Sequence, residues 1–237
     1  MREQLQSDFD KIVKTTKISK EEIQAKKDFL NKFIESGFPN RKQEDWKFLD
    51  ISQIIKRNIS DLSFFNDYSK PNKIDSSIFI DGLEHNKIIF INGRIEKIDF
   101  NYEDENKIQI FDDIKINNIF NNKNSLIDLN NAFSNKYYKI LVKKGYSINK
   151  PLVIYHSINE KMKSKNINLR LDFELEQNSS LKLVDFFSDS TDKNFMNILY
   201  NFDLKKDSIL KNYKIDKSLN KNLKYAFNNI DQEKNSI

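Results

Sequence analysis

The chain has 237 residues, enough for one large domain or a moderate domain with an appendage, and enough to bury a sizeable core. It contains no cysteine, which excludes a disulfide framework, a thiolate metal site and a cysteine nucleophile. Its 40 basic and 35 acidic side chains give +5, but acids interrupt nearly every basic cluster, as in KISKEEIQAKKD and NRKQEDWK, so a solvated surface is expected and no nucleic-acid partner.

The N-terminal stretch MREQLQSDFDKIVKTTK lacks the apolar core of a signal peptide, and no window approaches the ~18 apolar residues that span a membrane. A cytoplasmic protein without membrane association is expected. Phe9, Ile12 and Val13 fall at i, i+3, i+4 and predict a first helix. Ser19 with Glu22 forms a capping box that starts a second, whose stripe is Ile23, Leu30, Phe33 and Ile34. Gly37 stands where a left-handed C-cap is wanted, and Pro39 follows as a stop. DISQIIKRN then predicts a short helix, with Asp50 as N-cap and Ile51, Ile54 and Ile55 facing inward.

Past about residue 76 the period becomes alternating. SSIFID, KIIFING, KIQIFDD, YYKILVK and KPLVIYHS are short β-branched and aromatic runs separated by Gly- and Asn-rich turns. NSLIDLNNAF interrupts them as one helix, with Ser125 as cap and Leu126, Leu129 and Phe133 as its stripe. From residue 137 nearly everything reads as strand. Phe173-x-Leu175, QNSS, Leu181 matches Phe202-x-Leu204, KDSI, Leu210 at an offset of 29. Short strands, tight corners and no room for crossover helices predict a mainly β fold, a β-solenoid or a sandwich rather than a doubly wound sheet, behind an α-helical N-terminal region. The divisions are a helical domain over 1–75, a mixed α/β connecting region over 76–136, and the first rungs over 137–237. The closing segment LKYAFNNIDQEKNSI reads as strand and polar corner, with no capping helix. The solenoid is therefore expected to be incomplete there, with an exposed end open to self-association.

Candidate chemistry is sparse. His85 and His156 lack metal-ligand spacing, and His156 in VIYHS reads as a satisfied strand histidine. No G-x-S-x-G elbow, phosphate-binding loop or dinucleotide fingerprint occurs. Asp172, Glu174 and Glu176 alternate on one strand, the one feature that would suit a carbohydrate-active β-solenoid enzyme. Leu171, Phe173 and Leu175 alternate on its other side, so a solvated face is the plainer account of the row. Arg94, in an Asn-Gly-Arg turn, and Arg41 with Lys42 could hold an anion or a partner's acid; an exposed turn is the plainer account of Arg94. Tyr137–Tyr138 and Phe186–Phe187 are neighbours on strands and so point to opposite faces.

The stretch GFPNRKQEDWKFLD resembles the N-terminal signature of the SufD proteins, within the SufB/SufD family of iron–sulfur cluster assembly. Gly37, Pro39, Arg41, Lys42, Glu44, Trp46, Lys47 and Phe48 match the pattern in register. FINGR, with Asn92, Gly93 and Arg94, then the LNNAF helix, KPLVIYHS and the repeated strands follow in the family's order, so the likeness covers nearly the whole chain. It implies an N-terminal helical domain leading into a right-handed parallel β-helix that pairs with SufB and is held by the ATPase SufC. It implies a scaffold without catalysis of its own, no cofactor bound by this chain alone, and an iron–sulfur cluster and ATP only in the assembled complex. Family members are longer, so the chain is expected to be a truncated portion, with the SufC-docking helices and the cluster-linked histidine beyond residue 237. Trp46 with Phe48 is expected to pin the following segment to the core, with Arg41, Lys42, Glu44 and Lys47 around them and Glu44 paired to Arg41 or Lys47.

Overall fold

The computed structural model describes residues 1–16, 18–59, 61–67, 73–112, 124–134, 136–217 and 222–237. Helix α1 (Arg2–Thr15) buries Leu5, Phe9 and Ile12 as its spacing requires. In α2 (Lys20–Ser36) the Ser19 hydroxyl accepts from the Glu22 amide at 3.2 Å, and Phe29, Leu30 and Phe33 are buried. Gly37 ends this helix at φ +68°, but its ψ of −169° differs from the expected left-handed cap and lies in a region open essentially to glycine. Asp50 caps α3 (Ile51–Asn58) by accepting from Gln53 N at 2.9 Å. For α4 (Ser125–Phe133) the cap is Asn124, whose amide oxygen accepts from Leu126 N at 3.0 Å; the expected cap, Ser125, is itself buried in the first turn.

The ten described strands are β1 (Asn86–Ile91), β2 (Arg94–Asp99), β3 (Ile108–Asp112), β4 (Tyr137–Val142), β5 (Leu152–Ile158), β6 (Asn166–Leu175), β7 (Ser180–Asp189), β8 (Phe195–Leu204), β9 (Ile209–Asp216) and β10 (Leu223–Gln232). They form two five-stranded sheets, ordered β2-β1-β5-β7-β9 and β10-β8-β6-β4-β3. Pairing is parallel within both sheets except at the outer strands β2 and β3. From β4 on, successive strands alternate between the sheets, which makes about three turns of a β-solenoid. The 29-residue offset is one turn: Phe173 pairs with Phe202, Leu175 with Leu204 and Leu181 with Leu210. Asp113, the last residue of the expected KIQIFDD strand, lies outside the described residues.

One side of each strand fills the space between the sheets with Ile154, Leu171, Phe173, Leu183, Ile198, Phe202 and their neighbours. A corner stack beside this core repeats one backbone conformation, with Gly145 at φ +70°, Asn178 and Asp207 at +58° and Asn235 at +61°. Gly145 N donates to Gln177 O, Asn178 N to Lys206 O and Asp207 N to Lys234 O, so each corner is bonded to the next. Asn and Asp tolerate this left-handed conformation better than other residues with a Cβ.

The helices cover the outer face of the β10-β8-β6 side, where Phe195 joins Leu5, Phe9, Phe33, Phe38, Ile55 and Phe133 in a second core. Asn130 of α4 donates to the carbonyls of Leu169 and Asn197, and Asn197 returns a bond to Leu126 O at 2.8 Å. These amides give α4 a fixed seat on two rungs. The segment 76–136 contributes to all parts: β1 and β2 to one sheet, β3 to the other, α4 to the helical layer.

SSIFID is not a strand. Residues Ser76–Ile78 make one 3₁₀ turn, and Ile74, Ile78, Phe79 and Ile80 lie across the outer face of the β1-β5-β7 sheet. The edge of β1 away from β5 is occupied by β2, so this apolar run covers a face instead of adding a ladder. Nor is the last turn a plain continuation of the core. Positions of β9 and β10 stacked on core residues include Lys214, Asp216, Lys224 and Asn228. Lys214 lies over the Tyr200 ring and bonds Asn228, while Lys224 lies over Phe187 and pairs with Asp189 and Asp216 at 3.2 and 3.1 Å.

Candidate interaction surface

The signature residues cluster at the seam between the helical layer and the solenoid. Pro39 is buried and its carbonyl accepts from Ile51 N, tying the start of α3 to the end of α2. Asn40 then accepts from Lys42 N, and Glu44–Trp46 form a single 3₁₀ turn. That turn half-buries Trp46, whose ring centroid stands 5.8 Å from Tyr225 on β10. The indole thus reaches from the helical layer to the last described strand. Phe48 does not join it: the chain turns after Trp46, Phe48 is 85 % exposed, and Lys47 lies over its ring at 5.1 Å. Arg41, Lys42, Glu44 and Lys47 are exposed, and among the described residues Glu44 forms no ion pair with Arg41 or Lys47.

Asn92 and Gly93, at φ +58° and +81°, form the tight β1–β2 turn that two positive-φ residues allow. Asn92 is 1 % exposed and exchanges amide bonds with Asn159, which locks the turn to the β5–β6 corner. Arg94 stands beside Lys136 at a cavity of about 360 Å³, lined also by Thr15, Asn66, Asp67 and Asn168. A smaller hollow of about 260 Å³ adjoins it across Arg94, Lys136 and Tyr138. Lys136 pairs with Asp112 at 3.0 Å. The lining carries charge of both signs and suits a polar, mixed-charge partner segment better than a bare anion.

Interior histidine His156 is 1 % exposed, stacked between Phe90 and Phe187 at 5.4 and 4.6 Å. Its Nε2 meets Asp185 Oδ1 at 3.3 Å, and Tyr200 donates to the same oxygen at 3.0 Å. Among the described residues His156 Nδ1 and Asp185 Oδ2 have no partner, so the histidine is only half satisfied there. Burial first, and the Asp185 carboxylate second, hold the Tyr200 phenol well above its ordinary range. The row Asp172, Glu174, Glu176 is engaged residue by residue: Asp172 with Arg170 through two bonds of 3.0 Å, Glu174 with Lys139 at 2.5 Å, and Glu176 with Lys143 and the Lys144 amide. Tyr138 and Phe187 face the core while Phe186 faces the opposite side, as neighbours on strands must. Among the described residues, no group of three or more His, Cys, Asp or Glu side chains is placed to hold a metal ion.

The broadest candidate surface is the end formed by β9 and β10, the outermost strands of the two sheets. Each presents one ladder edge, and Ile209, Tyr213, Ile215 and Ile230 are 40, 57, 40 and 52 % exposed there. Burial against Tyr200 lowers the pKa of Lys214, with Asp185 opposing the shift. This end combines strand edges with no further described strand beside them, the β9 edge being bonded among the described residues only at Leu210 N to Ile237 O, with apolar side chains and a lysine–carboxylate network, which is what another β-structure can dock against. The sequence pattern announced the exposed edge but not the charged network, because Lys214 and Lys224 read there as outward residues of alternating strands. Among the described residues no helix is long and apolar enough to cross a membrane. No family model matches the chain, and no curated protein sequence matches it either.

Proposed function

We propose that the chain is a SufD-like scaffold subunit of the SUF iron–sulfur cluster assembly complex, pairing with SufB and recruiting the ATPase SufC, with no catalysis of its own. The observation that carries this reading is the placement of the signature residues. Pro39 and Trp46 join a helical layer to the far strand of a β-solenoid, Asn92 locks the first hairpin to a corner, and the LNNAF helix seats on two rungs. The motifs that suggested the family in order along the chain are thus the joints of one architecture.

In this reading the solenoid is a rigid wall. Its parallel rungs and stacked corners hold the β9–β10 end in a fixed shape for a partner, and ATP hydrolysis belongs to SufC. The cluster under assembly is the complex's cargo, which this chain helps to position. The engaged carboxylates of Asp172, Glu174 and Glu176 favour the scaffold over a carbohydrate-active enzyme, since a catalytic pair needs carboxyls turned toward a substrate. A cytoplasmic setting accords with the cysteine-free composition.

Co-expression of the gene's complete reading frame with SufB and SufC, followed by affinity capture through SufB, tests the assignment. A stable three-component complex is expected. Capture of SufB and SufC without this protein overturns it.

A further inference from the structure

The strap of residues 73–85 covers the outer face of the β1-β5-β7 sheet, where Ile74, Ile78, Phe79 and Ile80 pack over Ile89, Ile91, Val153, Tyr155 and Phe186. Beside this packing and the Glu84–Lys150 pair, one chain of hydrogen bonds ties the strap to that face. Ile80 N donates to the Tyr155 hydroxyl at 3.0 Å, that hydroxyl meets His85 Nε2 at 2.7 Å, and His85 Nδ1 meets Leu83 O at 2.6 Å. Tyr155 is wholly buried and His85 is 2 % exposed.

The chain admits one arrangement of protons. A carbonyl can only accept, so Nδ1 carries the hydrogen of the neutral ring and donates to Leu83 O. Nε2 must then accept, and the Tyr155 phenol donates to it while taking the Ile80 N–H on its oxygen. Protonating Nε2 reverses this bond: Nε2–H then donates to the Tyr155 oxygen, which already takes the Ile80 N–H, so the phenol proton is turned out of its bond and a cation is left without water.

We propose that the strap is a proton-operated cover: His85, when protonated, displaces the Tyr155 phenol proton from its bond and, as a buried cation, drives the release of residues 73–85 from the sheet face. The charged groups around it do not reverse this bias. Burial is the first cause that holds the His85 pKa below 6.5, and the Lys87 ammonium on β1 adds to it. Its contact with the Leu83 carbonyl and the Asp99 carboxylate on β2 oppose the shift. On the strap itself, Asp81 faces Tyr155, and Glu84 is engaged with Lys150 of the β4–β5 corner at 2.6 Å. A released strap lets His85 regain its ordinary affinity for a proton, so acid favours opening, by up to tenfold per pH unit between 6.5 and the lower value of the closed form. Opening bares the apolar face beside the already exposed Tyr213 and Ile215, which lie on the same outer side of the sheet one rung from Val184 and Phe186.

Hydrogen–deuterium exchange of the whole chain between pH 7.5 and 5, corrected for intrinsic rates, tests the cover. Peptides spanning 74–85 are expected to lose protection with acid while those of β6 and β8 do not change, and His85→Gln, which keeps a polar amide but cannot titrate, should flatten the response. Tyr155→Phe, which keeps the ring, should speed strap exchange at pH 7.5 already. A strap insensitive to acid, an equal acid response in His85→Gln, parallel loss in β6 and β8, or unchanged strap exchange in Tyr155→Phe would each overturn it.

Discussion

Lys26 shows how far a single side chain can depart from its composition class. It stands in KISKEEIQAKKD among solvated charges, yet it is 2 % exposed, donating to Ser134 O at 2.5 Å and to the Tyr137 hydroxyl at 3.3 Å. Burial lowers its pKa to about 8, with Glu22 opposing. The unfolded chain keeps that proton up to about 10.5 while the folded chain sheds it near 8. Between those values the unfolded state binds more protons, so stability rises with pH; below 8 the cost of the buried cation is fully present. Chemical denaturation across pH 8 to 10 is expected to show a gain of about 2 kcal/mol, and Lys26→Met should remove that slope. The spacing held the clue: position 26 lies three after Ile23 and four before Leu30, on the apolar stripe itself. Trp46 and Phe48 make the complementary point. Two large aromatics two residues apart read alike, and only the turn of the chain after the 3₁₀ segment Glu44–Trp46 sends one to Tyr225 and the other into solvent.

At the scale of elements the corners decide the fold as much as the strands do. Asn178 and Asp207 hold φ +58° in successive turns, and Asn235 donates from its side chain to Asp207 at 2.9 Å. A β-branched residue resists that backbone, so Asn178→Val is expected to cost about 1–2 kcal/mol, seen as roughly 2–8 °C in melting temperature for a chain of this size. Asn178→Gly, free to adopt the conformation, should hold the melting temperature. This corner was legible in QNSS and KDSI because the polar residues recur at the same offset as the apolar ones. The strap was not. SSIFID has the composition of a strand, and what keeps it from being one is the prior claim of β2 on the edge of β1, a tertiary fact with no local signature. For the same reason His85, isolated in the sequence, gave no sign of its link to Tyr155, seventy residues away.

For the whole molecule, the question is what the β9–β10 end does in solution. Its ladder edges and the exposed Ile230 and Tyr213 invite edge-to-edge pairing, while Lys214 and Lys224 discourage it by placing charge over the core. Apolar edge area is the larger contribution at moderate salt, where exposed charges are screened. Sedimentation of this 237-residue chain is expected to show association that grows with concentration and with salt, and Ile230→Glu should return it toward monomer. A single species at every concentration would mean that the lysine network prevails. The 29-residue offset narrowed the class to a β-solenoid or a sandwich, and the structure makes it a solenoid. The covering of one of its faces by helices and another by the strap was not readable, since outward residues such as Phe195 and Phe186 alternate as any strand does.

The stacked rungs also set how the molecule yields to force. Each turn is bonded mainly to the turn before it, so a pull on residue 237 loads the joints in series from that end. The Trp46–Tyr225 contact gives way with β10, and one turn of 29 residues frees about 100 Å of extended chain. Under tension about one turn, β9 and β10, would come free before the unravelling reached β8, whose Asn197 is bonded to α4, and there it would stall.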